Sequence, residues 1–222
     1  MWGPVFLTLK LALATVFILL LISTPLAWWL SRTRTRLKPA IESVIGLPIV
    51  LPPTVLGFYL LLLLGPKGWI GETWVSWTGD TLTFSFTGLL IASILYSLPF
   101  ALQPLQSSFE QTGTKHFMVA RTLGAGPLEA FLKVVCPMSM RGFITAGVLS
   151  FAHTLGEFGV VLMVGGNIPG KTRVLSIAIY DHVEAFEYQQ AHILSASLLI
   201  FSFLLLFFIY YTNRKLAWMR FT

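Results

Sequence analysis

The sequence predicts an all-α membrane protein, a bundle of five transmembrane helices. Three observations predict it. Of 222 residues, 55% are hydrophobic and only 11% charged, against roughly 25% charged in a soluble domain. The charges bracket five long apolar runs, each near the ~20 residues that cross a bilayer at 1.5 Å rise per residue. The basic residues gather in alternate links between those runs, as they do where positive charge sets orientation. A formal charge of +6 would suit nucleic acid only if the basic residues formed one stripe. Here they lie in short links, so the partner is the lipid bilayer and nucleic acid is excluded.

The first span is placed at 5–30. Lys10 and Arg32 bracket 21 uncharged residues, too long for a signal-peptide core and without a small-x-small cleavage site, so the run reads as a retained helix. Trp28 and Trp29 suit an interfacial belt at its end. The second span, 43–65, follows Arg32, Arg34, Arg36 and Lys38. It holds Pro48, Pro52 and Pro53, three prolines in six residues. These remove donors and break the helical ladder, and broken backbone at membrane depth survives only inside protein or along a cavity. Residues 48–57, ending on Gly57, are therefore expected to be an irregular entry packed inside the bundle.

The link 67–80 carries Trp69, Trp74 and Trp77, the composition of a segment lying on the membrane. The third span is 86–106, with a bend expected near Pro99. The fourth, 139–164, is interrupted by His153 and Glu157. A second polar link, 165–190, leads to the fifth span, 193–212. Links 1–2 and 3–4 and the C-terminal tail hold Arg32, Arg34, Arg36, Lys38, Lys115, Arg121, Lys133, Arg141, Arg214, Lys215 and Arg220. The other two links hold Lys67, Lys171 and Arg173, so the count is eleven against three, with Lys10 the fifteenth. The bias puts the N-terminus outside and the C-terminus in the cytoplasm.

No enzyme constellation is present. A single cysteine, Cys136, excludes an internal disulfide framework and makes a thiolate metal site untenable. Gly124-Ala125-Gly126-Pro127-Leu128 lacks both the preceding strand and the GK[ST] ending of a phosphate loop. His153 and Glu157 stand at i and i+4, a spacing that fits a mutually hydrogen-bonded pair in the bundle interior better than a metal site. An ionisable side chain at membrane depth costs about 2.5–3.5 kcal/mol on insertion scales and suggests function. Glu157 is read either as orienting pore-lining backbone, with Gly156 and Gly159 letting neighbours approach, or as lying at the outer interface past an early helix end.

The link 111–135 is amphipathic where the rest is apolar. It reads as two short helices. The first, 111–123, ends at Gly124 and Gly126. Pro127 suits the first turn of the second, 128–135. A connection beyond ~12–15 residues inside a bundle tends to be functional, and a partly apolar helix end offered to the cytoplasm is what docking to a soluble partner needs.

This link carries a family resemblance. Ala120-Arg121-Thr122-Leu123-Gly124, followed after nine intervening residues by Val134-Val135-Cys136-Pro137, resembles the EAA loop of ABC importer permeases. Met118-Val119-Ala120 stands where that family has Glu-Ala-Ala. Leu47-Pro48 through Pro52-Pro53 to Gly57, Leu98-Pro99, Leu155-Gly156-Glu157-Phe158-Gly159 and Asn167-Ile168-Pro169-Gly170-Lys171-Thr172-Arg173 extend the likeness to oxyanion permeases. The match is to the short molybdate class more than to the longer sulfate class. His153 stands where relatives often have arginine.

The resemblance implies a type I ABC importer permease fold over one domain, 1–222, in the inner membrane of a prokaryote, with a coupling helix between spans 3 and 4. It implies a homodimer forming one pore, two cytoplasmic ABC ATPase subunits and an extracytoplasmic oxyanion-binding protein. ATP and Mg would be bound by the ATPase, with no cofactor or metal on this chain. Met118, Val119, Ala120, Arg121, Thr122, Leu123, Gly124, Ala125, Gly126, Pro127 and Leu128 would couple to the ATPase. Pro48, Pro52, Pro53, Gly57, His153, Gly156, Glu157 and Gly159 are the pathway or gate candidates. Asp181, Glu184 and Glu187 in the last outer link would face the binding protein. The expected cargo is molybdate, with tungstate close to it. The alternatives are a sulfate or thiosulfate permease, and an ATP-independent anion transporter or channel.

Overall fold

The computed structural model describes the backbone of residues 2–218, and the side chains of that range apart from 208 and 212–218. Arg220, counted above among the cytoplasmic basic residues, lies outside the described residues. Among the described residues the chain forms helices and no strand. They are α1 (Trp2–Arg32), α2 (Lys38–Val50), α3 (Pro53–Leu64), α4 (Trp69–Thr78), α5 (Phe86–Thr112) and α6 (Lys115–Thr122). Then come α7 (Pro127–Met138), α8 (Met140–Leu155), α9 (Gly159–Gly165), α10 (Leu175–Glu184) and α11 (Tyr188–Trp218). Helices α1, α5 and α11 are each long and apolar enough to cross a membrane, and the broken pairs α2 with α3 and α7 with α8 raise the total to as many as five. The 31 residues of α1 extend about 46 Å, more than a ~30 Å hydrocarbon core requires.

The structure redraws several boundaries. Residues 48–57 are not irregular. Pro48 sits inside α2 and Gly57 inside α3, and the break is confined to Leu51 and Pro52, both with extended backbone. The reason is local. Pro48 falls far enough along α2 that little ladder remains to break, while Pro53 occupies the first turn of α3, where its missing N–H costs nothing. Helix α5 runs to Thr112, so 111 and 112 belong to it rather than to the first coupling helix. The link 165–190 is not all loop, because α10 forms within it and buries Leu175, Ile177 and Ala178. Pro137 does not end its helix. The chain widens into a π turn over Phe131–Val135, where the Cys136 N–H reaches back to the Phe131 carbonyl, and this register shift accommodates the missing Pro137 donor.

Contacts divide the chain into two compact units. The first comprises 1–14, 52–93 and 152–222, and the second 15–51 and 94–151. In the first, Leu11, Leu89, Val161, Val174 and Ile177 make a buried core against Leu7, Phe86, Leu90, Phe158 and Leu162. Thr8 bridges there: its Oγ1 donates to the Pro4 carbonyl (2.7 Å) and accepts from the Leu175 N–H (2.8 Å). That N–H opens α10 and has no partner within its own helix. In the second unit, Ala27, Leu30, Ile45, Leu102, Leu105, Phe109, Val135 and Ala146 are the buried core. Helix α4 leaves Trp69 and Trp77 84% and 83% exposed.

Candidate functional site

The coupling candidates all fall in the second unit. Helix α5 stops where Gly113 turns the chain with φ 68°, and α6 follows. At its far end Gly124 has φ 91°, a conformation that carries little penalty only for glycine. The Ala125 N–H bonds to the Ala120 carbonyl and the Gly124 N–H to the Arg121 carbonyl, both at 3.1 Å. These two bonds form a Schellman cap that closes the helix on otherwise orphaned carbonyls. The Arg121 guanidinium donates to the Ala125 carbonyl (3.1 Å), and Thr122 Oγ1 to that of Val119 (2.8 Å). Gly126 then precedes Pro127 at the first turn of α7, where Glu129 and Lys133 pair at 2.8 Å.

None of the α6 residues is buried. Met118 is 56%, Val119 57%, Leu123 83% and Leu128 68% exposed. The capped turn thus presents four large apolar side chains outward, more exposed apolar surface than a short polar link needs.

The pathway candidates, Pro48 apart, fall in the first unit. Three of them meet where α3 crosses α9. A Cβ placed on Gly57 would lie 2.8 Å from Met163 Cβ and 3.2 Å from Val160 Cα, and one on Gly159 would lie 2.8 Å from Pro53 Cβ. Carbon atoms in favourable contact sit ~3.5–4.0 Å apart, so the two backbones approach to a distance that only glycine allows. Pro53, Gly57 and Gly159 thus form one crossing.

Glu157 lies just before α9. Helix α8 ends at Leu155, with the Gly156 N–H shared between the Ala152 and His153 carbonyls (3.3 and 3.2 Å). The helix does end early, as one of the two readings expects, and Glu157 is only 3% exposed. Its carboxyl partner is not His153, because the helix stops between them and the i, i+4 alignment is lost. Ser93 of α5 donates to Glu157 Oε2 at 2.7 Å, and Ser176 of α10 donates to the Glu157 carbonyl at 2.6 Å. Glu157 Oε1 is buried with no hydrogen-bond partner. The α8–α9 break is therefore tied to α5 and α10 through one residue. Neither serine stands out in the sequence; the only signal for Ser93 is a small polar residue within an apolar helix.

In the link 165–190 the acidic residues take local partners. Asp181 receives Asn167 Nδ2 at 2.9 Å and Arg173 at 3.3 Å, Glu184 accepts from the Tyr180 hydroxyl at 2.6 Å, and Glu187 contacts His182 Nδ1 at 2.7 Å. The hydrogen bond to the Glu184 carboxylate pushes the Tyr180 phenol above its ordinary pKa. Among the described residues no three His, Cys, Asp or Glu side chains gather as a metal site.

Residues 23–217 match the family described as the binding-protein-dependent transport system inner membrane component. The chain belongs to that family. This inner membrane transport component is 57% identical over 208 residues to the molybdenum transport system permease protein ModB of Azotobacter vinelandii, covering 94% of this chain and 92% of that protein. It is 34% identical over 182 residues to the sulfate transport system permease protein CysT of Escherichia coli (strain K12), covering 82% of this chain and 65% of that one. A chain in the crystal structure of a bacterial alginate ABC transporter, in complex with an alginate pentasaccharide-bound periplasmic protein, shares the fold. Its TM-score is 0.72 at 15% identity, over 96% of this chain and 79% of that one. The fold is that of an ABC importer permease.

Proposed function

We propose that this chain is the membrane subunit of an ATP-driven importer of molybdate. The observation that carries the reading is the 57% identity to a molybdenum permease across 94% of this chain. The sulfate permease stands at 34% and extends well beyond the matched region, which covers 65% of it. Sulfate is therefore the runner-up cargo, and tungstate, chemically close to molybdate, the expected second substrate.

In this reading the chain is a single permease domain of type I architecture with five spans, N-terminus outside and C-terminus in the cytoplasm. Two copies form one pore. An extracytoplasmic binding protein delivers the oxyanion, and two cytoplasmic ATPase subunits bind ATP and Mg. The chain itself hydrolyses nothing. The exposed face of α6 and the Gly124 turn seat in the ATPase. Closure of the ATPase dimer on ATP draws the two coupling segments together and rocks the two permease bundles from inward- to outward-open, a rigid-body change. The α3–α9 crossing and the Glu157 tie give the first unit the rigidity such a motion needs. A mostly uncharged path lets the anion leave, since tight binding would trap it.

The test is ATPase activity in proteoliposomes. The permease is reconstituted with its ATPase and challenged with binding protein that is empty or loaded with molybdate, tungstate or sulfate. Molybdate- and tungstate-loaded protein should stimulate hydrolysis and sulfate should not. Stimulation by sulfate alone would transfer the assignment to the sulfate class. Anion flux without ATP would leave a channel.

A further inference from the structure

The coupling segment has few ties to the rest of its unit, and one of them stands out. Helix α6 buries no residue, yet Phe117 turns inward and its ring lies 5.5 Å from the Trp28 ring, at 62°. The same indole meets Phe109 of α5 at 5.5 Å and Phe131 of α7 at 5.1 Å. Arg32, one helical turn beyond Trp28 on α1, completes the cluster. Its guanidinium sits 4.5 Å from the Trp28 ring centroid and 4.5 Å from that of Phe117. A cation within ~6 Å of a ring face is held by the ring quadrupole, and a planar guanidinium stacks on such faces where an ammonium cannot. No carboxylate among the described residues lies within 4.0 Å of it. Arg32 therefore joins the cytoplasmic end of α1 to the coupling helix through two aromatic faces.

We infer that Arg32 is a positioning residue for coupling, a strut that passes the displacement of α6 to α1 through Phe117 and Trp28. The inference rests on the proposed role of α6 as the ATPase contact. The other ring contacts of Trp28 run to α5 and α7, on either side of α6, so without Arg32 the link from α6 to α1 falls back on the single Phe117–Trp28 ring contact. Its docking face, Met118, Val119 and Leu123, is exposed, so losing Arg32 leaves ATPase binding intact and weakens the hold of α6 on α1. Arg34, Arg36 and Lys38 remain in the same link, so neutralising Arg32 alone keeps the positive-inside bias.

The experiment uses the full permease–ATPase complex in proteoliposomes with molybdate-loaded binding protein. It reads three quantities: ATPase co-purification, ATP hydrolysis, and molybdate transported per ATP. Arg32→Gln and Phe117→Leu should each leave co-purification and hydrolysis near wild type and lower molybdate per ATP about fivefold, the shift that losing one cation–π contact implies. The double variant should be no worse than either single, because both remove the same link. Arg32→Lys keeps a cation and should recover part of the loss. Full transport per ATP in Arg32→Gln, or single effects that multiply in the double, would overturn the strut. So would an Arg32→Gln complex that fails to assemble while Arg32→Lys assembles with normal transport per ATP, since charge alone would then be what matters. A Leu123→Asp control separates the two readings. If it keeps both co-purification and uptake, α6 is not the ATPase contact, and that failure is visible whatever Arg32 does.

Discussion

Adding a single methyl group at Gly57 should loosen the crossing of α3 and α9. In Gly57→Ala the new Cβ lies 2.8 Å from Met163 Cβ, 3.1 Å from Met163 Cγ and 3.2 Å from Val160 Cα. Favourable carbon contacts begin near ~3.5 Å, so something must move by about 0.7 Å. Met163 Cβ and Val160 Cα are fixed to the α9 backbone, so rotamer changes cannot relieve the clash and the helices must separate. Overpacking of this kind costs about 1–3 kcal/mol. At ~3 °C per kcal/mol for a chain of this length, Tm should fall by about 3–9 °C. The assay is thermal unfolding of the purified protein in detergent, read by intrinsic fluorescence, alongside molybdate uptake in proteoliposomes. Met163→Gly in the same chain removes the two nearest atoms and leaves the Val160 contact at 3.2 Å. The double variant should therefore be more stable than the two single losses summed, by about 1 kcal/mol or more. A Gly57→Ala protein as stable as wild type, or singles that simply add, would refute the close-approach reading.

Three further outcomes follow from the same geometry. Gly124→Asp forces a branched side chain into φ 91° with nothing within 4 Å of its Cβ, so the strain of about 1 kcal/mol is local; the protein should insert normally but lose ATP-coupled uptake, and wild-type uptake would remove Gly124 from the coupling segment. Ser93→Ala strips Glu157 of its side-chain donor among the described residues and should destabilise by about 1–3 kcal/mol, whereas Glu157→Gln, which still accepts from Ser93, should keep most of the wild-type Tm; equal Tm losses in both would count against the tie. Thr8→Val leaves the buried Leu175 N–H without its acceptor and should lower Tm by a similar ~1–3 kcal/mol equivalent, while Thr8→Ser, which retains the oxygen, should not.

Much of the architecture was legible in one dimension. The termini of α1, the apolar run of α5, the Gly124 turn and Pro127 at the start of α7 all fall close to where composition and turn chemistry place them. These depend on few neighbours. A glycine at φ 91° or a proline at a first turn declares itself through its own backbone. Segments whose conformation depends on longer context were misplaced. The prolines of 48–57 read as disorder in the ladder, but each sits where the lost donor is tolerated, a fact visible only once α2 and α3 have defined ends. Gly113, the turn that ends α5, is masked in one dimension by the stronger signal of Gly124 and Gly126 nearby. Helix α10 does not declare itself within the polar link 165–190, because Leu175, Ile177 and Ala178 form too short an apolar set to stand out among polar neighbours.

By itself the sequence determined the solvent and the class of this protein. Transfer of apolar side chains into lipid and the exclusion of charge from it are properties of each residue that sum along the chain, so hydropathy and basic-residue placement suffice for a helical membrane protein, and the permease class follows from the resemblance of its short motifs. The tertiary structure alone decided which residues meet. Glu157 finds Ser93 across 64 positions, Gly57 finds Met163, and Arg32 finds Phe117. Such pairs follow from how helices cross, and a crossing is set by the shape of two faces at once, which periodicity within either face does not encode.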